Sequence, residues 1–171
     1  KDGAIDLAVP HRDGGQSRIF LNDGKAGFAK TVAFGPAVTN ARAAAAGDLN
    51  GDGWLDLVVG DERTGTRVYL NDGHGGLTAG VALGDPALAV GAIAIADMNR
   101  DGRLDIAIGH AGAPGTVWFN AGDGRRFTEV RFGDSRGAVY GIALGDLNGD
   151  GYPDIATARS DAPNVMFFSV K

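Results

Sequence analysis

Side chains that can supply oxygen ligands recur at alternate positions in residues 48–56. This segment reads Asp-Leu-Asn-Gly-Asp-Gly-Trp-Leu-Asp, so carboxylate or amide groups stand at positions 1, 3, 5 and 9, and a glycine stands at position 6. Alternate side chains of a tight coil converge on one point, where the backbone carbonyl of position 7 joins them. Hard oxygen donors in this spacing match the first part of a calcium-binding loop.

The acidic segment occurs three times in full, and each copy predicts one Ca²⁺ site. The predicted ligands, in chain order, are Asp48, Asn50, Asp52, Trp54 and Asp56, then Asp97, Asn99, Asp101, Arg103 and Asp105, then Asp146, Asn148, Asp150, Tyr152 and Asp154. The position-7 residues vary because each contributes only its carbonyl. Three carboxylates and one amide favour Ca²⁺ over Mg²⁺, which prefers sites rich in water. We therefore expect about three Ca²⁺ ions per chain.

The acidic segment is not an EF-hand. Position 12 of the first copy is Val59 rather than a glutamate, and the flanking runs are typical of strands rather than helices. The sequence therefore predicts that the position-9 aspartate, Asp56 in the first copy, is the bidentate ligand. The alternative is a metal-free turn rich in Asp and Asn. Repetition in register and the repulsion among three carboxylates make that alternative the weaker hypothesis.

The acidic segments follow a period of 49 residues, and so do Asn22, Asn71 and Asn120, which end three apolar runs. Each period contains four short runs that read as strands, separated by turns rich in Gly, Asn and Asp. Four antiparallel strands in a repeat of this length predict the blade of a β-propeller. The fold class expected from the sequence is therefore all-β.

The two ends of the chain match only parts of a repeat. We expect a single propeller segment over residues 1–171, with a partial blade (strands 2 to 4) at 1–35, full blades at 36–84 and 85–133, and a partial blade (strands 1 to 3) at 134–171. That is about 3.5 blades. The first acidic loop is truncated: Asp2 and Asp6 align with Asp52 and Asp56, but positions 1 and 3 have no counterpart. Whether this loop binds metal is left open.

Composition excludes several classes of function. Of the 21 acidic residues, 19 are aspartate, which is typical of turns and metal sites. The net charge is -5 and there is no basic cluster, so we expect no nucleic-acid partner. The longest apolar stretch, residues 86–96, is far shorter than the roughly 20 residues of a membrane span. The absence of cysteine excludes a disulfide framework and a thiolate zinc site.

The chain resembles the FG-GAP and VCBS repeat family, the blades of integrin α-chain heads and of many secreted bacterial proteins. The matching motifs are Phe-Gly at 34–35 and 132–133, the acidic segments with their flanks at 47–60 and 145–158, and the Leu-Asn-Asp-Gly turns that begin at Leu21 and Leu70. The resemblance implies a Ca²⁺-binding propeller of about seven blades when closed, which binds proteins or sugars and in some members carries a catalytic site. One departure is Leu83, which stands where the neighbouring repeats have phenylalanine.

A search for catalytic groups gives no nucleophile elbow and no pair of acid and base residues. His11, Asp61, His110 and Arg159 occupy equivalent positions, five residues after the last aspartate of each acidic loop, and we interpret them as exposed loop residues. Phe20, Tyr69 and Trp118 share one register on the third strand of each blade. We interpret these aromatic residues as packing between blades, with a sugar-binding platform as the weaker alternative.

The sequence therefore favours a noncatalytic, calcium-stabilised module that binds or adheres to a protein or glycan outside the cell. The alternative is a scaffold fragment of a larger secreted enzyme, such as a polysaccharide lyase. Ligand recognition is expected on the face opposite the calcium loops. The loops of that face, residues 10–17, 61–66, 110–116 and 159–164, differ between repeats and include Arg12, Glu62 and Arg159. We also expect further blades, or self-association, to close the ring, because open blade faces are an aggregation hazard.

Overall fold

The computed structural model describes residues 3–169, which form fourteen β-strands and no helix. Short apolar runs between frequent glycine turns favour strands. Residues 41–46 are five alanines and one arginine, which are good helix formers, yet they form a strand paired with residues 56–61, so pairing overrides the local propensity here. No helix in this part of the chain is long and apolar enough to cross a bilayer. The strands, in chain order, are β1 Leu7–Val9, β2 Arg18–Leu21, β3 Lys30–Ala33, β4 Ala41–Gly47, β5 Asp56–Asp61, β6 Gly65–Asn71, β7 Leu77–Leu83, β8 Val90–Ala96, β9 Asp105–His110, β10 Gly115–Asn120, β11 Phe127–Phe132, β12 Ala138–Gly145, β13 Asp154–Ser160 and β14 Val165–Phe167.

The strands form four separate antiparallel sheets, each made from consecutive strands. The first sheet is β1-β2-β3, the second is β4-β5-β6-β7, the third is β8-β9-β10-β11, and the fourth is β12-β13-β14. The sheets do not close into a ring. The predicted fold class is confirmed, because these are two four-stranded blades flanked by two three-stranded ones.

The sheets pack side by side, with β8 lying between β4 and β12. In the two complete sheets every residue of the second strand, β5 or β9, is buried, because neighbouring strands flank it on both edges and neighbouring sheets cover its faces. Val58, Ile106 and Ile108 are among the most completely buried side chains. The apolar core is therefore continuous from one blade to the next.

Aromatic contacts join neighbouring sheets at a fixed place in the repeat. Phe34, at the end of the first sheet, meets Tyr69 of β6 edge to face, with 5.8 Å between ring centroids. Phe132, at the end of the third sheet, meets Phe167 of β14 in the same way at 5.1 Å. The Phe-Gly motif is thus an inter-blade contact.

The second sheet replaces this phenylalanine with Leu83, which packs in the same cluster as Trp118 of β10. The glycine of the motif has a positive φ in each copy (69° at Gly35, 70° at Gly84 and 71° at Gly133) and lies against the aromatic ring of the next sheet. The interpretation of Tyr69 and Trp118 as packing between blades is confirmed. Phe20 is half-buried, and the described residues place no preceding sheet against it.

Candidate metal centre

The acidic loops connect the first and second strands of a sheet, and their carboxylates accept hydrogen bonds from the loop itself. Asp48 accepts from the N–H groups of Gly51 and Gly53, each at 2.8 Å. Asp52 accepts from the N–H of Trp54 at 2.8 Å and from the side-chain amide of Asn50, also at 2.8 Å. Asx turns therefore coil the loop.

The other two complete loops repeat this arrangement. Asp97 accepts from the N–H groups of Asp101 and Gly102, and Asp146 accepts from those of Gly149 and Gly151. These loops turn at glycines of positive φ, 83° at both Gly53 and Gly102 and 88° at Gly151, a conformation that residues with a side chain adopt rarely. Position 6 therefore requires glycine, as the calcium-loop pattern predicts.

The position-9 aspartate is the most deeply placed acidic group of each loop. Asp56, Asp105 and Asp154 have no exposed surface. One oxygen of Asp56 accepts from the N–H of Leu49 at 2.9 Å, and the other accepts from the N–H of Asn71 at 2.8 Å. The same carboxylate thus ties the start of the loop to the end of the third strand.

The same pair of hydrogen bonds to the position-9 carboxylate occurs in the other complete loops. Asp105 bonds the N–H groups of Met98 and Asn120, and Asp154 bonds those of Leu147 and Ser169. In the truncated first loop, Asp6 accepts from the N–H of Asn22 at 2.8 Å. Asp2, the other residue of that loop, lies outside the described residues.

The electrostatics of the loop favour an added cation. Burial raises the pKa of Asp56 above its ordinary value; the charges of Asp52 and Asp48 raise it further, while the N–H donors of Asn71 and Leu49 act in the opposite direction. Burial likewise raises the pKa of Asp105, and Asp101 and Asp97 contribute. A dication among these carboxylates would remove the repulsion.

The donor set of each complete loop fits Ca²⁺, since it offers only carboxylate, amide and carbonyl oxygens. Within residues 3–169, however, no three His, Cys, Asp or Glu side chains lie close enough together to hold one ion. In each loop the oxygens are turned towards N–H donors of the loop and β-strand ends. Metal binding would therefore require the side-chain oxygens of positions 1, 5 and 9 to draw closer. Each of them retains a lone pair beyond its hydrogen bond.

The position-7 side chains lie over the turn between the third and fourth strands of the same sheet. A Cβ atom added to Gly73 would lie 2.6 Å from Nε1 of Trp54, and one added to Gly122 would lie 2.7 Å from Cδ of Arg103. The acidic loops and these hairpin turns thus share one face, as alternating strand direction requires. Arg103 also pairs with Asp101 at 2.8 Å, and this partner lowers the pKa of Asp101.

The profile of the FG-GAP-like repeat matches residues 1–59, 48–108 and 97–157. The chain belongs to the FG-GAP-like repeat family. A search among curated proteins found no match. In this FG-GAP-like chain, the second and third matched segments begin at position 1 of a complete loop and end within the second strand of the following repeat. The profile and the acidic loops therefore share one period.

The residues five positions beyond the last loop aspartate were expected to be exposed. That expectation is correct for His11 and wrong for Asp61 and His110, which are each 5 % exposed. Asp61 accepts from the N–H groups of Asn40, Arg63 and Thr64. Asp61 and His110 are the last residues of buried strands. The only feature of the sequence that indicates the hydrogen bonds of Asp61 is the turn signal that follows it.

Arg159, the fourth residue at this position, is also part of the scaffold. Only 4 % of its side chain is exposed, and its guanidinium bonds Asp134 at 2.8 Å and the carbonyl of Pro163 at 2.8 Å. Hydrogen bonds from Arg136, with Arg159 contributing, lower the pKa of Asp134 to about 2. Arg159 therefore holds two loops together and does not present its charge to a ligand, contrary to the expectation for this face.

Proposed function

We propose that this FG-GAP-like chain is a calcium-stabilised, noncatalytic binding module of a β-propeller. The observation that carries the proposal is the threefold acidic loop, in which a fully buried position-9 aspartate shares a short loop with the carboxylates of positions 1 and 5, whose charges raise the pKa of Asp56 and of Asp105. Like charges in one loop, one of them buried, destabilise the folded state through repulsion and desolvation unless a cation accompanies them. An ion at each loop would pin the first strand of a blade to the third.

Recognition would use the face opposite the acidic loops. Its loops vary in sequence between repeats, whereas the acidic loops and hairpin turns repeat. Arg12 is exposed there, and Glu62 of the next sheet pairs with Arg42. A rigid scaffold that carries varying loops is the usual arrangement of a binding surface. FG-GAP repeats are typical of extracellular proteins, and millimolar extracellular Ca²⁺ would suit sites of this kind.

A glycan and protein array tests this proposal. The fluorescently labelled chain is applied in Ca²⁺ and again in EDTA, together with the Arg12→Ala variant. We expect a ligand that is retained in Ca²⁺, lost in EDTA and weakened by Arg12→Ala, because chelation loosens the blades and the substitution removes an exposed charge. A control, Lys25→Ala, changes a residue of the hairpin turns on the other face. Binding that is unchanged both in EDTA and in Arg12→Ala would contradict the proposal, and so would binding that Lys25→Ala weakens.

A further inference from the structure

Position 4 of the acidic loops is a glycine in two copies, Gly51 and Gly149, and an arginine, Arg100, in the copy between them. All three residues adopt a positive φ, 74° at Gly51, 81° at Gly149 and 61° at Arg100. A residue with a side chain adopts this conformation at a cost in free energy that glycine avoids. Arg100 therefore stands where the backbone favours glycine, and we expect its side chain to make a compensating contact.

That side chain crosses from its own loop to the next one. The Arg100 guanidinium lies over the ring of Tyr152, with 5.4 Å between its Cζ atom and the ring centroid. Its Nη1 atom lies 2.5 Å from the point where a Cβ atom on Gly151 would stand. Gly151 and Tyr152 are positions 6 and 7 of the loop at 146–154, between β12 and β13. A cation of the third sheet thus rests on the backbone of the acidic loop of the fourth sheet.

The preceding pair of loops lacks this contact. Gly51 has no side chain that could reach the loop at 97–105, and a Cβ atom on Gly102 would meet no described atom within 4 Å. Position 7 of that loop is Arg103, whose charge would repel an arginine in place of Gly51. An arginine at position 4 therefore accompanies an aromatic ring at position 7 of the next loop, which is the pair that a cation–π contact needs.

The cation lies close to a predicted calcium ligand. The N–H of Gly151, the residue under the guanidinium, donates to Oδ2 of Asp146 at 2.8 Å. With Asp150 and Asp154, this loop has three carboxylates and no basic residue of its own. A positive charge beside them reduces their mutual repulsion. Arg100 therefore supplies part of the compensating charge that a bound Ca²⁺ would supply.

We propose that Arg100 is a built-in cation that weakens calcium binding by the loop at 146–154. The inference rests on the proposed calcium sites and concerns how strongly one of them binds. The guanidinium stabilises the metal-free loop, whereas in the loaded loop the carboxylates are already neutralised and the two cations repel each other. A group that stabilises the metal-free state more than the loaded state lowers the affinity for the metal. Because water screens exposed charges, we expect an effect of about two- to fivefold.

The position-6 glycines give a matched reporter for each of two loops. The N–H of Gly102 donates to Asp97 at 2.8 Å, just as that of Gly151 donates to Asp146, so each amide resonance senses an ion at its own loop. Ca²⁺ is added stepwise to the EDTA-treated, dialysed and isotope-labelled chain, and amide resonances are followed in the wild type and in Arg100→Gln. Glutamine keeps a long polar side chain and removes the charge. In the variant, we expect the Gly151 midpoint at about two- to fivefold lower Ca²⁺, with a smaller change at Gly102.

Arg131→Gln is the control, because it removes the same charge from an exposed residue of β11, at the end of the strand remote from the acidic loops. We expect it to leave both midpoints unchanged. An unchanged Gly151 midpoint in Arg100→Gln, or an equal shift in Arg131→Gln, would overturn the proposal while the calcium sites stand. If neither glycine of the wild type responds to millimolar Ca²⁺, the calcium sites themselves are refuted and this inference falls with them.

Thermal unfolding in EDTA and in saturating Ca²⁺ supplies a second test. Arg100→Gln should lower the Tm in EDTA, where the guanidinium is the cation of the loop, by more than it lowers the Tm in Ca²⁺. The interval between the two temperatures should therefore be wider than in the wild type. Arg100→Lys, which keeps the positive charge, should restore most of the wild-type interval. An interval that Arg100→Gln does not widen, or that both variants widen equally, would overturn the proposal.

Discussion

The side-chain amide of Asn120 lies 2.7 Å from the backbone carbonyl of Leu49, to which it donates a hydrogen bond although 71 residues separate them in sequence. Leu49 is the second residue of an acidic loop of the second sheet, and Asn120 ends the third strand of the third sheet. The bond therefore couples an acidic loop directly to the next blade. The order of a loop and the packing between two sheets depend on the same contact.

Asn120→Ala should destabilise the chain more than Asn71→Ala. The first substitution leaves the buried carbonyl of Leu49 and the half-buried carbonyl of Leu104 without this donor, and the second leaves one exposed carbonyl. We therefore expect the losses in free energy of unfolding to differ by about 1–3 kcal/mol. Urea denaturation in Ca²⁺ measures both variants. Equal losses would show that the inter-blade bond contributes nothing.

The sequence predicts the fold well because the repeat multiplies each local signal. Loop spacing, turn glycines and the Phe-Gly motif recur at 49-residue intervals, and together they predict antiparallel blades and partial blades at both ends. The aromatic register of Tyr69 and Trp118 predicts packing between blades for the same reason, since equivalent positions meet equivalent neighbours.

The parts that the sequence does not predict depend on contacts between distant residues. His110 and Asp61 follow a buried strand and look like loop residues, yet neighbouring segments cover them. Arg159 is polar and lies next to a turn, but its guanidinium donates a hydrogen bond to Asp134, which lies 25 residues earlier in the sequence.

Asp101→Ala should reduce the stabilisation by calcium more than Arg103→Ala does. Asp101 supplies a proposed ligand oxygen, whereas Arg103 supplies a carbonyl that the substitution keeps and an exposed ion pair that adds little to stability. The measurement is the melting temperature of each variant in Ca²⁺ and in EDTA. If the interval between the two temperatures is the same for both variants, the ligand assignment of Asp101 is wrong.

Gly133→Ala should cost about 1–2 kcal/mol more than Gly112→Ala. The two glycines have nearly equal φ values of 71° and 70°, so the backbone strain of alanine is matched. A Cβ on Gly133 would lie 2.9 Å from Cζ of Phe167, whereas one on Gly112 would meet no described atom within 4 Å. The difference, measured by chemical denaturation, therefore reports the contact between blades. Equal costs would mean that Phe167 moves away freely.

His110 should make the free energy of unfolding fall as the solution is acidified. Burial lowers the pKa of His110 below its ordinary 6.5, while the charges of Glu129 and Arg131 have smaller and opposite effects. Below pH 6.5 the unfolded chain gains a proton that the folded imidazole resists, so stability present at neutral pH is lost as pH falls towards the folded pKa.

Denaturation of the wild type, His110→Gln and His11→Gln between pH 7.5 and pH 5 tests this expectation. His110→Gln should flatten the slope of stability against pH, and His11→Gln, which changes an exposed histidine, is the matched control. A slope that is unchanged in His110→Gln would show that the imidazole is protonated as readily in the folded chain as in the unfolded one.

Titration of Ca²⁺ into the EDTA-treated and dialysed chain, followed by isothermal calorimetry, tests the central claim most directly. Three complete loops with all-oxygen donor sets predict about three ions per chain, bound in the range that suits millimolar extracellular calcium, and about two in Asp101→Ala. Mg²⁺ at the same concentration should give much weaker binding. An absence of binding at millimolar Ca²⁺, or an unchanged number of ions in Asp101→Ala, would contradict the assignment of the acidic loops as calcium sites.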